Sequence, residues 1–146
     1  MKIEIADMTQ AHINGVVNVE NQSFTLPWSE KSFIDELNNP IAKYFVAIAD
    51  DMVVGYIGMW EISGQCDINN VAVLPGFRRQ KIGHKLLSHT ISYCRNNNLS
   101  PITLEVKETN IPAQELYKSF SFKKIGQRKK YYADTGEDAL IYSLEI

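Results

Sequence analysis

The sequence predicts a single α/β domain. Its core is a mixed, mostly antiparallel sheet of about seven strands, with helices on both faces. Three observations carry that expectation. The chain has 146 residues, the length of one ordinary domain, and no repeat or interdomain linker divides it. Apolar residues recur at strand and helix periods in the order β-α-α-β-β-β-α-β-α-β-β. The three consecutive strands suit an antiparallel meander, and the strand–helix–strand unit after them demands a parallel crossover.

Lys2–Ile5 reads as a short strand. Thr9 is a candidate N-cap for a helix in which Ile13, Val16 and Val17 recur at helical spacing. The next segment breaks at Pro27, restarts with Ser29 as cap and Glu30 in the first turn, and stops at Asn38-Asn39-Pro40. Lys43–Ala49 and Met52–Ile62 are β-rich runs joined at Asp50-Asp51. Both are apolar on both faces, which places them centrally in a sheet. Asp67–Leu74 is a further strand, ended by Pro75-Gly76. A helix from about Ile82 to Asn97 buries Ile82, Leu86, Leu87, Ile91 and Cys94. In the strand Ile102–Val106, Ile102, Leu104 and Val106 alternate with Thr103, Glu105 and Lys107. Asn110 caps a short helix whose apolar face is Ala113, Leu116, Tyr117 and Phe120. Strands Phe122–Tyr132 and Ala139–Leu144, joined by the turn Ala133-Asp134-Thr135-Gly136, end the chain.

Composition narrows the function. Apolar residues make up 45% and charged residues 22%, as in a soluble globular protein. No apolar run approaches the roughly 18–20 residues of a membrane span. The first ten residues carry acids and no apolar leader segment, so the expectation is a cytoplasmic chain with reduced thiols. Two cysteines and three scattered histidines give no metal-ligand spacing, and no metal is expected. The net charge of −2 conceals an asymmetry: residues 1–75 carry −7 and residues 76–146 carry +5. The second half suits an anion and the first a cation, unless folding mixes them on one surface. The run Lys123, Lys124, Arg128, Lys129, Lys130 reads as a solvated strand pair, and direct nucleic-acid binding is not expected.

The stretch VAVLPGFRRQKIGH, Val71 to His84, runs from a strand through a basic turn into a helix. A helix start offers unpaired N–H groups and the positive end of the helix dipole. Gly83 permits close backbone approach, and Arg78, Arg79 and Lys81 add charge, so a phosphate is the natural guest. This arrangement resembles the acyl-CoA pyrophosphate loop of the GNAT superfamily of N-acetyltransferases, pattern [Q/R]-x-x-G-x-[G/A], on Arg78-Arg79-Gln80-Lys81-Ile82-Gly83. Lys81 stands where that pattern has glycine; its side chain either crowds the pyrophosphate or points outward and adds attraction. The resemblance covers nearly the whole chain. Asn69-Asn70-Val71-Ala72-Val73 is similar to the family strand before the loop, and LEVKETNIPAQELY to the next strand and helix. The segment from Glu20 to Ser29, the stretch FKKIGQRKKYY and the following GEDAL resemble one branch, the RimI-type ribosomal-protein-alanine N-acetyltransferases.

The resemblance implies a GNAT fold, acetyl-CoA as co-substrate and a protein N-terminus, that of a ribosomal protein, as acceptor. Glu105, which alone reads as a solvated strand carboxylate, becomes the general base. Tyr117, alone a core tyrosine, becomes the general acid for the leaving thiolate. Backbone N–H groups of Val71, Ala72 and Val73 are expected to hold the oxyanion. Amides of Arg79, Gln80, Lys81, Ile82, Gly83 and His84 are expected to take the phosphates, with Asn110 touching the cofactor besides capping its helix. Glu20, Trp28, Tyr131 and Tyr132 match segments flanking the peptide groove; the aromatics could equally be core or rim residues. A lysine side chain or a small amine is the alternative acceptor. A non-enzymatic acyl-CoA-binding module is the alternative class, which Lys81 favours and Glu105, Asn110 and Tyr117 oppose.

Overall fold

A computed structural model describes residues 2–78 and 80–146. Seven strands form one sheet: β1 (Ile3–Asp7), β2 (Ala42–Ala49), β3 (Met52–Ile62), β4 (Gln65–Val73), β5 (Ile102–Lys107), β6 (Lys123–Arg128) and β7 (Ala139–Leu144). The helices are α1 (Ile13–Ser23), α2 (Glu30–Leu37), α3 (Ile82–Asn96) and α4 (Ile111–Ser119). The strand order is β1-β2-β3-β4-β5-β7-β6, and only the β4–β5 pair is parallel. The meander, the crossover and the mixed sheet are as the sequence predicts.

The apolar strands β2 and β3 lie inside the sheet, with Val53 through Met59 all buried. Their turn, Asp50-Asp51, places both residues at positive φ (48° and 66°), the geometry of a hairpin turn that matches strand twist. Side chains then sort by parity. Tyr44 packs edge-on against Phe33 of α2, while its neighbour Phe45 meets His89 and Tyr93 of α3. Thus α1 and α2 cover one face. The other carries α3 and α4, whose Tyr117 packs on Tyr142 of β7.

Several boundaries differ from the sequence reading. Thr9 starts a single 3₁₀ turn, Gln10–His12, and its N–H donates to Nδ1 of His12 at 3.0 Å, so α1 proper begins at Ile13. Ser29 and Asn110 do cap their helices, accepting from the N–H groups of Ser32 and Ala113. Strand β4 starts two residues early because Ser63 and Gly64, both at positive φ, close a tight hairpin with β3. Strand β6 stops at Arg128, four residues short of Tyr132. Asp138 draws the chain away there, accepting from the Lys130 N–H at 2.9 Å and the Gln127 amide at 2.7 Å. Tyr131 and Tyr132 therefore sit in a loop, not a strand.

Candidate active site

The site begins with a fault in the sheet. Strands β4 and β5 pair only at Cys66–Ile102, Asp67–Thr103 and Ile68–Leu104, then diverge while each continues. A β-bulge causes the departure. On β3, Gly58 opposes Asn70 and Met59 opposes Ile68, so Asn69 is an extra residue that bends β4 at the last point of contact. Beyond it, the ladder to β3 fixes which amides are free. Leu74 N–H donates to Val54 at 2.8 Å, and antiparallel pairing alternates. Val71 and Val73 therefore turn their N–H groups away from β3, into the opening. Ala72 turns its N–H the other way, toward Tyr56. The outward carbonyl of Val73 accepts from Nε of Arg78 at 3.2 Å, which folds the basic turn back against the opening.

The turn leads into α3. Lys81 immediately precedes the helix at φ 60°, ψ 25°, in the left-handed region that glycine enters without steric cost. The backbone form that the glycine of the pattern would supply is thus kept by a lysine, with its side chain exposed. Gln80 and His84 are exposed, Ile82 is buried, and Gly83 is half-buried. A Cβ at Gly83 would meet only Leu116, at 3.5 Å, an ordinary contact, so internal packing does not require glycine there. A turn with room beside Gly83 and a long helix starting behind it fits a pyrophosphate. Arg79 lies outside the described residues. His84 leans on Phe120, ring centroids 4.6 Å apart, and Asn110 is exposed beyond its capping bond.

Across the opening, Glu105 stands on β5 one residue past its last pairing with β4, on the α1–α2 face. Its carboxylate accepts from the Tyr131 hydroxyl at 3.0 Å and lies 3.8 Å from Nε of Arg128. Tyr117 lies on the other face and is 7% exposed. Burial pushes its hydroxyl up to about 12. Nδ2 of Asn70 is the buried side-chain polar atom left without a partner among the described residues. Gln114 joins the two halves: Nε2 donates to the carbonyls of Lys107 at 3.2 Å and Glu108 at 2.9 Å, fastening α4 to the end of β5.

The side expected to receive the acceptor is held by side chains from distant segments. Glu20 is 2% exposed; one carboxylate oxygen accepts from the Tyr56 hydroxyl and the other from the Trp28 N–H at 2.9 Å. Both oxygens are engaged inside the chain, so Glu20 shapes this side by fixing the α1–α2 loop. The Trp28 ring rests on Phe33, centroids 5.5 Å apart. Thr25 donates to Asp134 at 2.7 Å, tying that loop to the β6–β7 loop. Lys107 lies 3.4 Å from Asp134 and 4.0 Å from Glu137, and 5.2 Å from the Tyr132 ring centroid. The bond from Thr25, then the charge of Lys107, hold the Asp134 carboxyl below its usual range. Burial, followed by the charge of Glu105, raises the Tyr132 hydroxyl.

The sequence reading passed over Arg128 as a site residue, counting it within a solvated basic run. It likewise missed Thr25, Tyr56, Asp134 and Gln114. Strand parity could have brought Arg128 toward β7, but only the end of β6 brings it to Glu105. Among the described residues no cluster of three His, Cys, Asp or Glu side chains is placed to hold a metal, and no helix is long and apolar enough to cross a membrane.

Comparison with known proteins identifies the family. Residues 13–122 match the acetyltransferase (GNAT) family. A Bacillus subtilis protein, provisionally named a [ribosomal protein bS18]-alanine N-acetyltransferase, is 40% identical over 146 residues, covering 99% of this chain and 97% of its own. The crystal structure of the Escherichia coli ribosomal-protein-S18-alanine N-acetyltransferase superposes with a TM-score of 0.92 at 26% identity, covering 99% of this chain and 94% of that one. A Bacillus anthracis acetyltransferase solved with acetyl coenzyme A shares the fold alone, TM-score 0.81 at 16% identity, over 99% of this chain and all of that one. With its splayed strands, basic turn and full-length relatives, the chain belongs to the acetyltransferase (GNAT) family, among the RimI-type N-acetyltransferases.

Proposed function

We propose that this enzyme transfers the acetyl group of acetyl-CoA to the free α-amine of a protein N-terminus, in the cytoplasm. The substrate is the N-terminal alanine of a small-subunit ribosomal protein. The observation that carries the reading is Glu105. It is a carboxylate at the open edge of β5, facing a gap whose other wall offers the free N–H groups of Val71 and Val73. The names of the Bacillus subtilis and Escherichia coli relatives support the choice of acceptor.

Acetyl-CoA supplies the activated acyl group. The chain supplies the rest. The turn amides from Gln80 to His84, with Arg79 before them, hold the phosphates at the positive end of α3. One of the two outward N–H groups, that of Val71 or that of Val73, donates to the carbonyl oxygen as it gains charge; about 6.6 Å apart along the strand, they do not share one oxygen. Glu105 takes the amine proton, directly or through a water. That task suits one carboxylate. An α-amine has a pKa near 8 against about 10.4 for lysine, so neutralising it costs roughly 3 kcal/mol less. Tyr117 keeps its proton throughout the neutral range, since about 12 lies well above it. Its donation to sulfur strengthens as charge gathers there. Trp28, Tyr131 and Tyr132 rim the acceptor side.

The test is thiol release from acetyl-CoA with two short peptides. One has a free N-terminal alanine; the other has a blocked N-terminus and one lysine. Release with the first is expected to exceed release with the second by a large factor. Release with the second alone would move the acceptor to a lysine side chain, and silence with both despite acetyl-CoA binding would reject a peptide acceptor.

A further inference from the structure

Two cations on the Glu105 side of the sheet differ in what holds them. Lys107, two residues along the same face of β5, faces the carboxylates of Asp134 and Glu137. Arg128, at the last position of β6, has Glu105 itself as its carboxylate partner, at 3.8 Å, and its guanidinium lies 5.7 Å from the ring centroid of Tyr131. Tyr131 in turn donates to the other oxygen of Glu105. A fixed positive charge therefore sits beside the group proposed to take the amine's proton. The flanking residues Lys129 and Lys130 are of the same sign, and Lys130 is at positive φ in the turn that follows.

We infer that Arg128 is a specificity-determining residue, which selects acceptors able to reach Glu105 as neutral amines and disfavours those that arrive as ammonium ions. The inference rests on the acetyl-transfer reading above. Its physical basis is a difference in what the two amine classes can do. An α-amine is partly neutral near pH 7.5, so it can enter uncharged and meet Arg128 with little repulsion. A lysine amine is almost wholly cationic there, and must either enter charged beside a guanidinium or first give up its proton against a much steeper equilibrium. Repulsion from Arg128 thus falls almost entirely on the lysine acceptor. The pair is partly solvated, with side-chain exposures of 59% for Arg128 and 32% for Glu105, so the effect is modest. Two charges about 4 Å apart in water interact by an amount equal to about a fivefold change in an equilibrium; an ammonium held beyond Glu105 lies farther from the guanidinium, so about fivefold is the upper bound.

The experiment measures kcat/KM of the wild type, Arg128→Gln and Arg128→Lys with both peptides, at low salt and in about 1 M salt. In Arg128→Gln the lysine-to-α-amine ratio is expected to rise, by at most about fivefold, at low salt, and less in about 1 M salt, where charges are screened beyond about 3 Å. Arg128→Lys, which keeps the charge, should hold the wild-type ratio. A merely structural role would lower both acceptors together and leave the ratio still, and that result overturns the inference. So does a ratio that shifts equally in Arg128→Lys. A wild type silent with both peptides would instead reject the acetyl-transfer reading, and this inference with it.

Discussion

The two walls of the opening between β4 and β5 are built on different plans. The wall proposed to hold the cofactor is backbone: the outward N–H groups of Val71 and Val73, a left-handed residue at Lys81 and the first turn of α3. The wall proposed to meet the acceptor is side chains brought from far apart. Glu20 meets Tyr56 across 36 positions, Tyr131 meets Glu105 across 26, and Thr25 meets Asp134 across 109. A backbone wall recognises what every acyl-CoA shares, a phosphate and a carbonyl. A side-chain wall can be retuned by single substitutions, as a protein recognising one acceptor among many requires.

Substitutions should separate the walls. The largest effect is expected at Glu105. Glu105→Gln keeps the shape and removes the base, and kcat should fall by about 10²-fold or more, in line with general-base contributions. The acetyl-CoA Kd, measured by titration calorimetry, should stay within about twofold, because no cofactor contact is removed. An equal loss of affinity would mean that Glu105 belongs to both walls.

Glu20→Ala addresses the frame of the acceptor wall. It strands the Tyr56 hydroxyl and the Trp28 N–H, both bonded to a carboxylate that is almost fully buried. A loss of roughly 3 kcal/mol in unfolding free energy is expected from urea denaturation. In the protein that remains folded, the peptide KM should rise more than the KM for acetyl-CoA. Equal changes in the two would show that the walls are not independent.

That contrast also explains what could be read in advance. Helix and strand periodicity located β2, β3, β5 and α3 because burial repeats along the chain at 2 or 3.6 residues. The basic turn was legible because its chemistry is local: a strand end, cations and a glycine within a few positions. The end of β6 was not legible, since it depends on Asp138 capturing Lys130 and Gln127 from the opposite strand. Nor was the burial of Glu20, whose partners Tyr56 and Trp28 lie on other elements. Glu105 was placed on the correct face by parity alone, but its exposure to an opening required the bulge at Asn69, which nothing in NNVAV announces.

On the cofactor wall, Gly83→Ala is the cleaner probe. The added methyl meets Leu116 at 3.5 Å and interrupts no packing, and alanine exceeds glycine in helix propensity by about 1 kcal/mol. Melting temperature should hold or rise, while the methyl crowds the space beside the turn and weakens acetyl-CoA binding about tenfold, or ~1.4 kcal/mol. Unchanged binding would move the phosphates away from Gly83. The opposite pairing, lower stability with unchanged affinity, would make the glycine a packing residue.

Lys81→Gly should have the smallest effect and separates two roles of one residue. A lysine held at φ 60° carries left-handed strain of about 1–2 kcal/mol, which glycine removes while adding freedom to the unfolded chain. The net gain expected in unfolding free energy is about 0.5 kcal/mol, measured by urea denaturation of the free enzyme. Cofactor affinity then distinguishes the two orientations of the side chain. If Lys81 points outward and contributes charge, Lys81→Gly weakens acetyl-CoA binding at low salt, and the difference vanishes in about 1 M salt. If the side chain crowds the pyrophosphate, affinity rises at both salt concentrations. The exposed side chain and the preserved left-handed backbone favour the first outcome: the lysine keeps the turn that glycine would make and would add a cation beside the proposed phosphate site.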